Sequence, residues 1–205
     1  LSIGHVTDIV KHPRVPDKDL FIFDTKTDRL IKTVSSLGTL LYGITVDSKN
    51  NVFISQTDAR NDINGRSGTK KHTLKELENR AFLNQITSIK ASLNDHDKNF
   101  IDLEPAPPLQ PKQGEAFATP FAIKVTKDDK LVVASAASSD KIFTMDAESG
   151  RLLGSVNVGS VPRGISIEYS HDNKATKAWV LNAVANSVSL VDISSPESLK
   201  VTATI

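Results

Sequence analysis

The 205-residue sequence contains no cysteine, which excludes disulfide staples, thiolate metal sites and a Cys-x-x-Cys-His haem attachment within it. It has no apolar run near the roughly 18 residues that a membrane-spanning helix needs. Neither charge sign dominates. With 25 Lys and Arg against 24 Asp and Glu, the formal net charge is +1, and there is no electrostatic case for a nucleic-acid or membrane-surface partner. Phosphate-binding loops, Gly-x-Ser-x-Gly elbows and dinucleotide fingerprints are missing too, so no catalytic motif marks the chain as an enzyme. The five histidines, His5, His12, His72, His96 and His171, are scattered and form no ligand pair. Leu1 stands where an initiating methionine is absent and nothing near it resembles a signal peptide, so the gene product is expected to begin further upstream.

What is present is a repeat. Leu20–Asp24, Ile142–Asp146 and Val188–Asp192 are short apolar strands ending in an acid, each followed by a turn and a second apolar strand. The first two agree down to an Arg-Leu pair, Arg29-Leu30 and Arg151-Leu152, beginning five residues past the aspartate. A fourth copy, "NQITSIKASLNDHDKNFIDL", is degenerate and carries Lys90 in place of the acid. Between these hairpins lies another recurring pair of strands, "YGITVDSKNNVFISQ", "FAIKVTKDDKLVVAS" and "RGISIEYSHDNKATKAWVLN". Apolar residues alternate in it (Ile44 and Val46, Ile123 and Val125, Ile165 and Ile167), as suits strands with one side against a neighbouring layer. A small residue opens each: Gly43, Ala122, Gly164.

Lettering the strands a to d, the chain supplies c and d of one unit and then three complete units, fourteen strands in all. The 42 residues from Ala122 to Gly164 match one four-stranded blade of a β-propeller, whose repeats run to about 40–50 residues. The expected fold class is therefore all-β, a partial β-propeller of about three and a half four-stranded antiparallel blades, with residues 1–205 forming part of one propeller domain. Recurring aspartates Asp24, Asp146 and Asp192 read as caps of the c–d turns, and Trp179 reads as core.

Two surpluses interrupt the repeat. From strand b to the acid position takes 13 residues (Val133 to Asp146) or 12 (Val180 to Asp192), but 36 from Ile54 to Lys90. From the acid position to the next strand a takes 19 or 18, but 32 from Lys90 to Ala122, and much of that excess is the proline-rich "LEPAPPLQPKQGEAFATP". The insertions span 57–84 and 104–119. In an up-and-down blade the b–c and d–a connections emerge on one face, so both decorate the same face of one blade. Thr73 and Glu76 form a capping box that predicts a short helix with Leu74, Leu77 and Ala81 on one side and Phe82 beside them. Asp58, Asp62 and Asn64 are spaced like calcium ligands, but no EF-hand register fits them, so local turns and caps are the better reading. The candidate docking face comprises Asp58, Arg60, Asn61, Asp62, His72, Lys75 and Glu104.

The segment "KAWVLNAVANSVSLVDISSPESLKVTATI" resembles the YVTN-type β-propeller repeat, in which a "YVxN" strand precedes "NxVSVIDTxTxKVxATI"; here the strand reads Trp179-Val180-Leu181-Asn182. Nearly the whole chain follows the pattern, with departures at Lys90 and in "VVASAASSD", where serine stands for the asparagine. The order of strand, long polar insert, proline-rich connector and clean repeats is similar to bacterial surface or periplasmic propellers that often carry a c-type cytochrome domain. That resemblance implies a periplasmic or cell-surface scaffold with no cofactor of its own, a protein partner or attached cytochrome-like domain, and haem c only in a neighbouring domain. The resemblance also implies a ring of about seven blades, which the remainder of the propeller, or a second copy, is expected to close. The alternative it carries is part of a propeller enzyme, lactonase-like or a quinone- or haem-linked oxidoreductase, with its site at the central channel. Arg163 and Lys124 are the polar exceptions on inner strands otherwise rich in Ile and Val.

Overall fold

A computed structural model describes residues 17–60, 77–78 and 80–205. The described chain is all-β and contains the fourteen strands the repeat predicts. They are β1 (Leu20–Phe23), β2 (Leu30–Val34), β3 (Leu40–Val46), β4 (Val52–Ala59), β5 (Phe82–Ile89), β6 (Lys98–Asp102), β7 (Pro120–Val125), β8 (Leu131–Ala136), β9 (Lys141–Asp146), β10 (Leu152–Asn157), β11 (Pro162–Tyr169), β12 (Ala175–Asn182), β13 (Ser187–Asp192) and β14 (Lys200–Thr204). They form a two-stranded sheet I (β1-β2) and three four-stranded sheets, II (β3 to β6), III (β7 to β10) and IV (β11 to β14). Every pairing is antiparallel and between sequence neighbours. Helical geometry among the described residues is confined to single 3-10 turns such as Asp95–Asp97 and Ala137–Ser139. The helix expected from Thr73 and Glu76 lies outside the described residues.

Register fixes which positions are equivalent. Ile44 faces Ile54, Ile123 faces Ala134, and Ile165 faces Val180. Across the next ladder Ile54, Ala134 and Val180 face Thr87, Phe143 and Ser189. Ala134, not Val133, is thus the counterpart of Ile54 and Val180, which removes the one-residue discrepancy in the sequence count. A slip of one residue reverses every side chain, so Val133 belongs to the opposite face.

The sheets stack in chain order, with the first strands β3, β7 and β11 against one another and the outer strands β10 and β14 meeting only sparsely. One core lies between II and III, where Phe53 and Ile86 meet Ile123, Val132, Ala134, Phe143 and Met145. A second lies between III and IV, where Leu131, Val133 and Ile142 meet Ile165, Ala178, Val180 and Val191. Sheet I covers only the outer part of II through Val34 and Leu37.

Stacking explains two exposures that the sequence pattern hides. Ile44 is 52% exposed, whereas its counterparts Ile123 and Ile165, each covered by the preceding sheet, are 3% and 9% exposed. Trp179, read from sequence as core, is 38% exposed, and its indole Nε1 donates to Glu168 at 3.1 Å. Its counterparts Phe53 and Val133 are buried because another sheet follows theirs. No described sheet follows IV.

An interior polar tier repeats as well. In sheet II, Gln56 Nε2 donates to Gln85 Oε1 (3.0 Å) and Thr87 Oγ1 (2.8 Å); in sheet IV, Asn182 Nδ2 donates to Ser187 Oγ (3.0 Å) and Ser189 Oγ (2.9 Å). Gly38 and Gly159 lie against these amides so closely that a Cβ on either would clash. In sheet III the three positions become Ala136, Phe143 and Phe117. The two rings, 5.1 Å apart and edge to face, fill the space of amide, hydroxyl and turn. Ala136, not a serine, is therefore what stands for the repeat's asparagine.

Candidate functional site

The aspartates that end the third strands are turn caps. Asp24 Oδ1 accepts from the amides of Lys26 and Thr27, Asp146 Oδ1 from the amide and hydroxyl of Ser149, and Asp192 Oδ1 from the amide and hydroxyl of Ser194. Hydrogen bonds from Thr27, Ser149 and Ser194 respectively hold all three carboxyls below their ordinary value. Sheet II, with Lys90 at that position, turns instead through residues 90–97, where the Leu93 amide donates to Lys90 O at 2.8 Å. These acids are occupied by the fold.

The long connections of sheet II join β4 to β5 and β6 to β7. The β4–β5 ladder continues to Ala59 opposite Phe82, and Arg60 N then donates to Ala81 O at 3.0 Å. Arg60 also grips the return of the loop: its guanidinium donates to Leu77 O (2.8 Å), to Arg80 O (3.2 Å) and to Glu78 Oε2 (3.0 Å). Leu77 is buried. Arg80 reaches the other way, into the proline-rich connector, pairing with Glu104 Oε2 at 2.6 Å and donating to Pro105 O and, at 3.1 Å, to Leu109 O. The side chains of Arg80 and Glu104 are only 8% and 4% exposed.

Glu104 accepts further from Asn84 Nδ2 (3.2 Å) and the Phe117 amide (2.8 Å), and Gln110 Nε2 closes a second bridge to Glu78 O at 2.9 Å. A guanidinium in a fixed fork suits such a junction, because its planar donors can serve a carboxylate and carbonyls together. The two connections are thereby joined through one buried ion pair.

Of the residues assigned to a docking face, the structure brings Arg60 and Glu104 together through the Arg80 network, and both are spent on holding loops. Asp58 accepts from Thr39 Oγ1 at 3.0 Å, and that hydroxyl accepts in turn from the Ala59 amide. Asn61, Asp62, His72 and Lys75 lie outside the described residues, as does Asn64 of the calcium-like spacing. Arg80 escaped the sequence reading because its partner is 24 residues away in another loop and no local spacing announces the pair.

A second convergence lies on the first strands. Each is bulged at the same place, at Tyr42, Phe121 and Arg163, and a bulge re-aims the side chain that carries it. Tyr42 stacks on Phe121 with centroids 5.3 Å apart, and the Arg163 guanidinium lies 4.9 Å from the Phe121 centroid. Lys124, the other polar exception, is exposed.

No protein-family model matches the sequence, and no curated protein does. Among solved structures, the chain is similar to the hydrazine synthase of Kuenenia stuttgartiensis, with a TM-score of 0.61 and 11% identity over 83% of this chain and 50% of that one. It is also similar to a functionally unknown protein of Desulfotomaculum acetoxidans DSM 771, with a TM-score of 0.52 and 12% identity over 90% of this chain and 48% of that one. At such identities the likeness concerns fold alone: a multi-sheet all-β architecture of propeller type. The chain spans about half the length of each.

Proposed function

We propose that this chain is part of a β-propeller of the YVTN-repeat kind, working in the periplasm or at the cell surface as a non-catalytic scaffold. Its loop-built face docks a protein partner or an attached cytochrome-like domain. The observation that carries the reading is the buried Arg80–Glu104 junction, which ties two unrelated insertions into one platform. Loops longer than their neighbours need not be joined at all, and a rigid platform lowers the ordering cost of docking. Replacing residues 61–79 by a short Gly-Ser linker in the full-length protein tests it. Partners retained by the parent protein in affinity capture should be lost, with far-UV circular dichroism unchanged. Equal retention by both proteins would sink the reading.

The open sheets carry the second element, closure of the ring by the rest of the propeller or by a second copy. Ile44 and Val46 on one side, and Trp179 and Leu181 on the other, occupy positions that neighbouring sheets cover elsewhere. Exposed apolar faces with free strand edges associate. The 205-residue chain alone is therefore expected to self-associate in sedimentation velocity, and Trp179→Lys with Leu181→Lys to weaken that association at least about tenfold. A monodisperse monomer at all concentrations would count against an interface there.

One observation favours a second reading, a ligand site on the channel side of the first strands: the Tyr42, Phe121 and Arg163 row. Lactonase and quinone-dependent dehydrogenase assays on the full-length protein, with its visible absorption spectrum for haem, separate this reading from the scaffold. Among the described residues no helix is long and apolar enough to cross a membrane.

A further inference from the structure

Lys141 opens β9 at the position held by Gln85 in sheet II and Ser187 in sheet IV, both partners of the interior amide. Sheet III has lost that amide to Ala136. Lys141 is nevertheless only 7% exposed, and its ammonium turns to the proline-rich connector, donating to Gly114 O and, at 3.4 Å, to Ala116 O, with the Phe117 ring centroid 5.3 Å away. No carboxylate among the described residues pairs with it. A buried cation satisfied only by carbonyls and a ring face is unusual, since buried charges are ordinarily neutralised by a counter-charge.

Beside it is a cavity of about 320 Å³ between the connector and sheet III, within the roughly 300–1,000 Å³ typical of small-molecule sites. It is open to solvent on one side: Leu103, Pro105, Pro111 and Phe117 form its apolar part, Gly114 and Ser155 complete the lining, and its charged groups are the buried Lys141 and the exposed Glu115. These two opposite charges share the cavity without pairing with each other, and the Glu115 carboxylate has no partner among the described residues.

We propose that this cavity binds a small zwitterion with an apolar body, of the kind an aliphatic α-amino acid provides. An ammonium group has three donors, and the third N–H of Lys141 takes the ligand carboxylate. Glu115 takes the ligand ammonium, and the apolar part lies against the prolines and Phe117. Neither a plain carboxylate nor a plain amine satisfies both charges. The proposal goes beyond the scaffold reading: the cavity is built by the connector whether or not a protein docks above it.

The test is titration calorimetry of the full-length protein with L-leucine, isovalerate and isopentylamine, which share a branched apolar end and differ in charge. L-leucine is expected to bind at least about tenfold more tightly than either analogue, the worth of one charge-assisted hydrogen bond. Lys141→Met is expected to weaken leucine binding about tenfold or more. Because that variant also loses the connector's carbonyl bonds, Glu115→Gln, on an exposed side chain, serves as the second probe and should weaken leucine about threefold to tenfold with an unchanged thermal melt. Equal binding of leucine and isovalerate, unaltered affinity in both variants, or no heat from leucine up to about 50 mM, weaker than any specific site would give, would overturn the proposal.

Discussion

Replacing Glu104 by leucine is expected to lower the unfolding free energy by about 3–5 kcal/mol, the usual cost of stranding one member of a buried ion pair. The Arg80 guanidinium would keep its bonds to Pro105 O and Leu109 O but lose the Glu104 counter-charge, in a place where water reaches it poorly. Asn84 Nδ2 and the Phe117 amide lose an acceptor at the same time. Arg80→Met should cost about as much for the mirrored reason. The double variant, Arg80→Met with Glu104→Leu, is expected to recover most of the loss, because two apolar side chains of similar volume remove both desolvation terms together. Urea melts of the four proteins give the coupling directly, and limited proteolysis of residues 103–119 reports whether the connector detaches first. Single variants within about 1 kcal/mol of the parent, with an unchanged cleavage pattern, would mean that the pair is not buried in solution.

The same junction shows where sequence reasoning stops. Strand order, strand number and the turn-capping role of Asp24, Asp146 and Asp192 were legible because they depend on local period and on side chains bonding two or three residues away. Register within sheet III was not, since Val132, Val133 and Ala134 are all apolar and either face could be core; the hydrogen-bond ladder alone selects Ala134. Trp179 misled for a different reason. Its side chain has the character of an interface position, but burial there depends on a following sheet, and no described sheet follows IV.

The exchange of an amide tier for the Phe117–Phe143 pair was likewise hidden, because its three positions sit in three separate segments. Only superposing the sheets brings Ala136, Phe143 and Phe117 beside Gln56, Thr87 and Gly38. Of the platform itself, the sequence revealed which loops are long, from counting, but not that Arg80 joins them. A contact between two irregular segments has no periodicity, and Glu104, assigned from the sequence to the docking face, is instead held inside by Arg80. The repeated geometry of the strands sets where the joined loops stand, and Arg60, Arg80 and Glu104 are consumed in holding them.

Gly43→Ala is expected to be the other severe substitution, costing about 2–4 kcal/mol from overpacking and a lost hydrogen bond. A Cβ at Gly43 would lie 2.3 Å from Phe121 O, a backbone atom of the next sheet, 2.9 Å from Ser55 Oγ and 3.1 Å from Ile123 Cγ2. A side chain could swing aside; a carbonyl held in the bulge of β7 cannot. Sheets II and III would have to part, and with them would go the Ser55 Oγ donation to Phe121 O, now 2.6 Å, and the Tyr42–Phe121 stack. The internal control is Gly164, the same position in sheet IV. There an added methyl meets only Leu181 of the paired strand, whose Cβ, 3.2 Å away, must give by only a few tenths of an ångström, with no backbone oxygen of another sheet in the way. Gly164→Ala should therefore cost less than about 1 kcal/mol, and Ala122 already carries a methyl at the equivalent place in sheet III. Parallel urea melts decide the matter: if the two glycine variants are equally stable, the close backbone approach between II and III is not present in solution, and the stacking of the sheets in chain order loses its first contact.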